Sequence, residues 1–574
     1  MSETVEAQIH LWPWSFGMQD NQETTALRTD AAIFPFYGSP VVSLSSRASL
    51  FLSSRHERFI PLGPAFQTLS GMCRLYEVPH GVISNSCKNL SKQGGDVIIY
   101  TEGDRKKIRL KPEGAQPRLE SMDDGEFKES KLSRTVLAWS QFFDDLIEET
   151  KGTQRENKLP WARIEDIIGD IKKDAEEPRK ALIVDIAERM HSRLPVFVHA
   201  ARKILLRERR MQPAGRVTEI DNSCLKWIVR QPGETVPQKV AANHQRMLSV
   251  ARNESFDTLE NRVLKDFLFR CAKESHRYLN IEVDPAKHSQ STRAKRVNSF
   301  KNLSSKLHQV EHLKSVSEPE VGLRPNYVLQ NDYRYKQIWK QYLRLLRRED
   351  EEDRLWDWQS RTWSDLVRFF VNFALYDLSR KINDKKGEIV VELESTSVIH
   401  LLKEQHLGCR VKEGAEPGPF IVGRHGDAKD KAFALEVVHS AQAGEHMVTN
   451  LLGRLGAHLY LVLHPLRGGS PAVVAVWAVH TAGSSSHPGW EAIGRSAGKA
   501  LKMHSHIRNE LRDLNSPTLH GFVVASDIDF PDAELHPGMG DGVHVVQAAA
   551  DQRCWADALA GISAIIEDIL GAII

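Results

Sequence analysis

What the chain lacks narrows it before anything it contains. Cysteine is sparse: six in 574 residues, Cys73, Cys87, Cys224, Cys271, Cys409 and Cys554, with no CxxC pair among them. Spacings that wide exclude a zinc ribbon and a dense disulfide scaffold. Scattered thiols of this kind fit a reducing cytosol. Long apolar runs are missing too. No stretch reaches the roughly 18 apolar residues a membrane helix needs, so no membrane partner is expected. Residues 1–19 hold Glu3 and Glu6 and no basic segment leading into an apolar one, which argues against a secretory signal. A cytoplasmic protein is expected. Charge of one sign is also missing: 77 Lys and Arg stand against 75 Asp and Glu, a net charge of +2. No global field then draws the chain onto nucleic acid, and any DNA contact must come from local basic patches.

Familiar catalytic signatures are absent. The nearest approach to a phosphate loop is Gly494-Arg495-Ser496-Ala497-Gly498-Lys499-Ala500. A working loop needs four residues between its glycines, to shape the nest of N–H groups, and a Ser or Thr after the Lys to hold Mg²⁺. Here three residues intervene and Ala500 follows the Lys. There is no HExxH, no GxSxG and no dinucleotide fingerprint after a strand. His504 and His506 stand two apart in a helical stretch, so they face different ways, which disfavours zinc. No repeat of fixed period is visible.

What is there is a globular composition, 41% hydrophobic and 26% charged, in a chain long enough for roughly two to four domains. Residues 1–130 read as a β-rich N-terminal domain, because short apolar runs at 32–37, 41–44 and 97–100 are broken by Gly, Pro and Ser. The acidic, Gly-containing stretch 120–129 reads as a linker. Residues 131–385 read as a helical domain. Val136, Leu137, Trp139, Phe142, Phe143, Leu146 and Ile147 recur at three and four residues, and so do Phe256, Leu259, Val263, Phe267, Leu268 and Cys271. Residues 386–574 alternate. Strands are expected at 388–393, 419–423, 432–438, 458–463, 473–479 and 521–525, and helices at 446–455, 492–514 and 555–573. The expected fold class is multidomain α/β, with a mixed sheet in the C-terminal domain.

That C-terminal stretch carries the most informative layout. A strand at 419–424 leads through a turn containing Gly426, Asp427 and Asp430 to a returning strand at 432–440. Phe433, Leu435 and Val437 fall on one face of it and Glu436 on the other. A carboxylate-bearing hairpin followed by a helix and a strand is the outline of a restriction-endonuclease-like core. Such a core holds Mg²⁺ between an Asp on the first strand and a Glu on the next. The ion activates water and stabilises the phosphorane charge, and a Lys two residues after the Glu assists. Here Glu436 fills the second position, but the first strand, Pro419-Phe420-Ile421-Val422-Gly423, has no Asp, and Val438 stands where the Lys belongs. Asp427 and Asp430 are candidates to join Glu436 as metal ligands and catalytic residues, and Glu394 is a further candidate. The plain alternative makes Asp427 and Asp430 turn residues and Glu436 a solvated strand residue. An active site would need Mg²⁺ as cofactor, and an inactive one none.

Two basic features are candidates for phosphate contact. Lys287, Arg293, Lys295, Arg296, Lys301 and Lys306 occur with no acid between them. Lys336, Lys340, Arg344 and Arg348 recur every four residues as one helical stripe, opposite Tyr335, Trp339, Tyr342 and Leu346. Arg202, Lys203, Arg207, Arg209 and Arg210 form a third cluster. Solvated faces are the plain alternative. Trp356, Trp358 and Trp363 suit base stacking or, given their apolar flanks, core packing. At Asp257-Thr258-Leu259-Glu260-Asn261-Arg262 a helix starts. Asp257 is expected to cap it, Glu260 to close a capping box, and Arg262 to pair with Asp266. The alternative is a role for Glu260 or Arg262 at a domain interface.

The same region carries a resemblance. Arg216-Val217-Thr218-Glu219-Ile220-Asp221, Leu225-Lys226-Trp227-Ile228 and Thr258-Leu259-Glu260-Asn261-Arg262-Val263-Leu264-Lys265 resemble the helical domain of McrC-like predicted virus-defence proteins, over roughly residues 200–440. In that family an ENR helix, and later an aromatic helix like 333–342, precede a domain of restriction-endonuclease (PD-(D/E)xK) fold. The resemblance implies a bacterial anti-phage system, DNA as the target, a separate AAA+ motor ATPase as partner, and Mg²⁺-dependent nuclease chemistry. The missing phosphate loop suits that division of labour. The unfilled Asp and Lys positions turn the expectation towards a DNA-binding or scaffolding subunit, with a Mg²⁺-dependent DNA nuclease as the alternative.

Overall fold

The computed structural model describes residues 8–15, 24–26, 31–35, 41–45, 49–53, 59–61, 66–67, 73–77, 95–101, 104–113, 119–121, 127–129, 139, 142–143, 146, 156–173, 177–178, 181–283, 286, 288, 290–320, 323–357, 359–381, 387–394, 398–404, 408–412, 416–427, 431–442, 455–480, 489–510, 518–526, 543–548 and 555–574. The chain divides into two compact units, one of Met1–Lys173 with Asp350–Ile574 and one of Asp174–Glu349.

The discontinuous unit opens with strands, as its Gly- and Pro-broken apolar runs suggest. One five-stranded sheet runs Thr24–Ala26, Gln8–His10, Val41–Ser45, Cys73–Glu77, Phe66–Gln67. A second runs Ala31–Pro35, Asp104–Glu113, Gly95–Thr101, Ser49–Ser53, Phe59–Pro61. In the stretch expected as a linker at 120–129, the described residues are strands instead: Leu119–Ser121 pairs antiparallel with Phe127–Glu129. Strands of three residues are too short to show a period, so acidic composition alone misled there.

The C-terminal part of this unit is a mixed seven-stranded sheet. Its order is Ile389–Leu393, Phe420–Arg424, Phe433–His439, Leu459–Pro465, Ala472–His480, Thr518–Ser526, His544–Gln547. Neighbours are antiparallel up to Ala472–His480 and parallel beyond it, with helix Trp490–Glu510 as the crossover. Ala472–His480 is buried at every position, as a strand covered on both faces must be. On one face, helices Gln359–Arg380 and Trp555–Ile573 share a core with Leu435, Leu461, Val474 and Phe522. On the other, helix Trp490–Glu510 and the indoles of Trp12 and Trp14 share a core with Tyr460, Val462, Trp477 and Val523. Gly521 makes room for that second layer: a Cβ there would sit 2.6 Å from the Trp477 ring. A smaller sheet, in which Val398–Glu404 pairs with both Glu156–Pro160 and Gly408–Val411, was not anticipated. The helix expected at 446–455 lies outside the described residues except for Leu455.

The continuous unit is largely helical. Helices Leu182–Met190, Leu259–Ile281, Thr292–His308 and Tyr333–Asp357 contribute to a core that includes Phe267, Leu268, Phe300, Tyr335 and Ile338. Inside the stretch expected to be helical stands a two-stranded ribbon, Ile204–Pro213 against Arg246–Ser255. Two short helices, Asn222–Val229 and Val236–Ala242, lie between its strands in sequence. Most of Ile204–Pro213 is exposed, so no apolar alternation marks it as a strand.

Candidate functional site

The C-terminal hairpin forms with Phe420 opposite Leu435 and Val422 opposite Phe433. Alternation then decides each side chain's surroundings. Leu435 is buried under the helices, while Glu436, on the opposite face, is 47% exposed. Glu436 pairs in register with Val462, and His464 Nε2 of the same neighbouring strand lies 3.9 Å from Glu436 Oε2. Val438, two residues on, is buried in the apolar layer with Tyr460 and Val462. Asp427 is exposed in the turn beyond Arg424. At about 3.3 Å per strand residue the turn is about 15 Å from Glu436, so the structure does not bring Asp427 and Glu436 together. Asp430 lies outside the described residues. Glu394 is exposed at the end of the edge strand, and its N–H donates to the Pro419 carbonyl at 3.2 Å. It therefore shares the Glu436 end of the hairpin.

The acid that the sequence did not single out is Glu416. A cleft of about 380 Å³ is lined by Glu416, Pro417, Gly418, Pro419, Glu436 and Gln442, among others. The Glu416 side chain is 3% exposed and is held by Arg368, whose Nη2 meets its Oε1 at 2.5 Å. Arg368 is itself fully buried in helix Gln359–Arg380. Its Nη1 donates to Asp365 Oδ1 at 2.8 Å, and the guanidinium also reaches the carbonyls of Val411 and Lys412 at 3.3 and 3.1 Å. Asp365 Oδ2 in turn accepts from the Val411 N–H at 3.2 Å. One buried guanidinium thus serves two buried carboxylates. Glu416 Oε2 accepts no hydrogen bond among the described residues. Leaving a buried carboxylate oxygen unpaired is costly, and this one belongs to a residue that lines the same cleft as Glu436. Two carboxylates and an amide match what Mg²⁺ takes from a protein, the rest of its shell being water. Among the described residues no group of three or more His, Cys, Asp or Glu forms a fuller cage.

The predicted basic residues fall into two sets. Arg293 donates to the Pro178 carbonyl at 2.7 Å, Arg296 pairs with Glu188 at 2.6 Å, and Arg344 pairs with Asp185 at 2.6 Å. These guanidiniums are occupied inside their own unit. Lys295 donates to Gln290 at 2.8 Å but stays exposed. Lys336 and Lys340 are exposed and form no ion pair among the described residues. Lys287 and the side chain of Arg348 lie outside the described residues. In the third cluster Arg202, Lys203, Arg207 and Arg209 pair with Glu260, Glu254, Glu219 and Asp221.

The Glu260-Asn261-Arg262 motif is a structural hub. Thr258, not Asp257, caps the helix by accepting from the Asn261 N–H at 3.4 Å. Asp257 is taken by Arg262 through bonds of 2.7 and 2.8 Å, and by Ser317. The Arg262 guanidinium, with Ser317, holds the Asp257 carboxyl down at about 2. The expected Arg262–Asp266 pair does not form, because Asp266 pairs with Arg270 and accepts from the Tyr342 hydroxyl. Buried Glu260 accepts from Arg202 and Asn326. Fully buried Asn261 donates to the carbonyls of Arg202 and Phe256 and accepts from the Tyr335 hydroxyl at 2.7 Å. Trp363 is core, fully buried with its ring 5.0 Å from that of Trp139. Trp358 and the side chain of Trp356 lie outside the described residues. The stretch 494–500 is the interior of helix Trp490–Glu510, with Ala497 and Ala500 buried, and is not a loop.

Residues 178–342 match a family described as a domain of unknown function (DUF2357). That span is the greater part of the continuous unit and holds the ribbon and the hub. No curated protein matches the chain. Among solved structures, the chain is similar to one from Thermococcus gammatolerans, described as a refined half-complex from a tetradecameric assembly of McrB AAA+ hexamers with bound McrC. The similarity covers 81% of this chain and 80% of that one, at 7% identity and a TM-score of 0.20. At that TM-score the likeness carries no argument about fold or function.

Proposed function

We propose that this chain is a DNA-binding or scaffolding subunit of a bacterial anti-phage defence complex, working beside a separate AAA+ motor ATPase. The observation that favours a non-cutting role is Val438. It stands at the position of the nuclease lysine and lines the cleft beside Glu436, where its isopropyl group offers a scissile phosphate no amine. The preceding strand, Phe420–Arg424, contributes no acid. A hairpin that keeps its packing while losing its chemistry suits a subunit that holds DNA or partners rather than cutting. The ENR and neighbouring motifs, which resemble McrC-like defence proteins, support the setting and the motor partner. Lys295, Lys336 and Lys340 are the exposed amines that would meet phosphates, and binding through them weakens as salt rises.

A second reading, a Mg²⁺-dependent DNA nuclease of restriction-endonuclease-like type, is favoured by one observation: buried Glu416, whose Oε2 has no hydrogen-bond partner among the described residues, belongs to the lining of the cleft that Glu436 also lines. Glu416 and Glu436 would hold the ion, which when bound supplies a Lewis acid and an activated water. Arg368 would fix Glu416 in place, and His464 would stand beside Glu436.

One assay separates the two. Plasmid and linear DNA are incubated with Mg²⁺ or Mn²⁺ and wild type, Glu436→Ala or Glu416→Gln protein, alone and with an AAA+ ATPase from the same organism. No cutting in any arm, with salt-sensitive DNA retention, supports the binding subunit. Metal-dependent cutting that both substitutions abolish establishes the nuclease.

A further inference from the structure

We propose that the outward face of helix Asn222–Val229 docks an acidic amphipathic helix of a partner protein. Asp221 caps this helix, accepting from the N–H groups of Ser223 and Cys224 at 3.0 and 2.9 Å. Its inner face is Cys224 and Ile228, both buried, and four residues apart as one helical stripe requires. The adjacent stripe, about 100° round the helix, has the same spacing but is Leu225 and Val229, which are 51% and 70% exposed. The next helix, Val236–Ala242, extends the apolar surface. Lys239 Nζ donates to the Val229 carbonyl at 2.9 Å, which sets Val236, one turn earlier on that helix and 57% exposed, on the Val229 side.

The rim is basic. Lys226 and Arg230 border the stripe on the side away from Cys224 and Ile228, exposed and without an ion pair among the described residues, while Lys239 sits at its end. Glu234 is the one acid in residues 222–245. Over residues 202–255, eleven Lys and Arg against five Asp and Glu give +6, where the whole chain carries +2. An apolar centre within a charged rim is the anatomy of a protein interface. The centre also decides between partners. Duplex DNA would satisfy the cations but offers phosphates, not apolar surface, to three exposed aliphatic side chains. A helix with apolar residues at i, i+3/i+4 and i+7, bordered by Asp and Glu, satisfies both.

The test uses the full chain and two labelled peptides of about five helical turns, followed by fluorescence anisotropy. One peptide carries a Leu stripe bordered by Glu. The other replaces every Glu with Lys. The Glu peptide should bind at least about tenfold more tightly than the Lys peptide. Leu225→Asp with Val229→Asp, and separately Lys226→Glu with Arg230→Glu, should each weaken it by about tenfold with Tm unchanged. Absence of binding, equal binding of the two peptides, indifference to either double substitution, or displacement of the peptide by a short DNA duplex would each overturn the proposal. Peptide binding is read independently of DNA cutting and retention, so this inference and the DNA reading can fail separately.

Discussion

Arg368 is the residue on which the candidate cleft depends. It is fully buried, it compensates both Asp365 and Glu416, and it donates to two carbonyls. Replacing it with Ala would strand two buried carboxylates, so Arg368→Ala should lower the unfolding free energy by about 3–5 kcal/mol, read from the denaturant midpoint of the discontinuous unit. Arg368→Ala with Glu416→Gln should recover part of that loss, because one stranded charge is gone. A second residue-scale prediction concerns His10, buried beside Ser43 with Nε2 and Oγ 2.9 Å apart. Burial lowers its pKa from 6.5 to about 4. Between those values the unfolded chain binds the proton and the folded chain does not. Stability is therefore full above pH 6.5 and falls as the pH drops towards 4, by about 3 kcal/mol in all. His10→Gln should flatten that part of the Tm-versus-pH profile. At this scale the sequence was informative where alternation governs. Glu436 and Leu435 could be assigned to opposite faces because a strand has a period of two. Glu416 could not be found that way, since its burial is imposed by Arg368 from 48 residues earlier.

At the scale of elements, legibility followed burial. The strand Ala472–His480 is a continuous apolar run because both of its faces are covered, and its span was close to the one expected. Ile204–Pro213 is mostly exposed, with Arg207, Glu208, Arg209 and Arg210 in its middle, and charge without period looks the same in a strand as in a helix. Its partner strand and register come from tertiary pairing that no local window contains. The close approach at Gly521 was equally invisible, because it depends on where Trp477 of the neighbouring strand lies. That approach gives a sharp test. A methyl at Gly521 would meet Trp477 ring atoms at 2.6 and 3.0 Å and the Ala475 carbonyl oxygen at 3.1 Å. Gly521→Ala should therefore destabilise by about 1–3 kcal/mol, as overpacking does. A change in near-ultraviolet circular dichroism should accompany the lower midpoint, because the indole must move. An unchanged midpoint would mean that the Trp477 layer is not packed as described.

The whole molecule is built from one continuous unit and one unit that the chain visits twice. The continuous unit has its own core and its own ion-pair network around Asp257, Glu260 and Asn261. A segment with its own core can fold alone. Residues 174–357, cut so that helix Tyr333–Asp357 stays whole, should yield a helical fragment with a single cooperative thermal transition. The full chain should show two transitions, one at the fragment's midpoint. A fragment without a transition would make the continuous unit dependent on the rest of the chain. The same fragment divides the functional question cleanly. It carries Lys295, Lys336 and Lys340 but neither Glu416 nor Glu436. If DNA retention belongs to these lysines, the fragment should bind duplex DNA with a salt dependence close to that of the full chain. Lys336→Ala with Lys340→Ala should then reduce the slope of log K against log salt by about two. Retention confined to the full chain would instead assign DNA contact to the discontinuous unit, where the cleft lies.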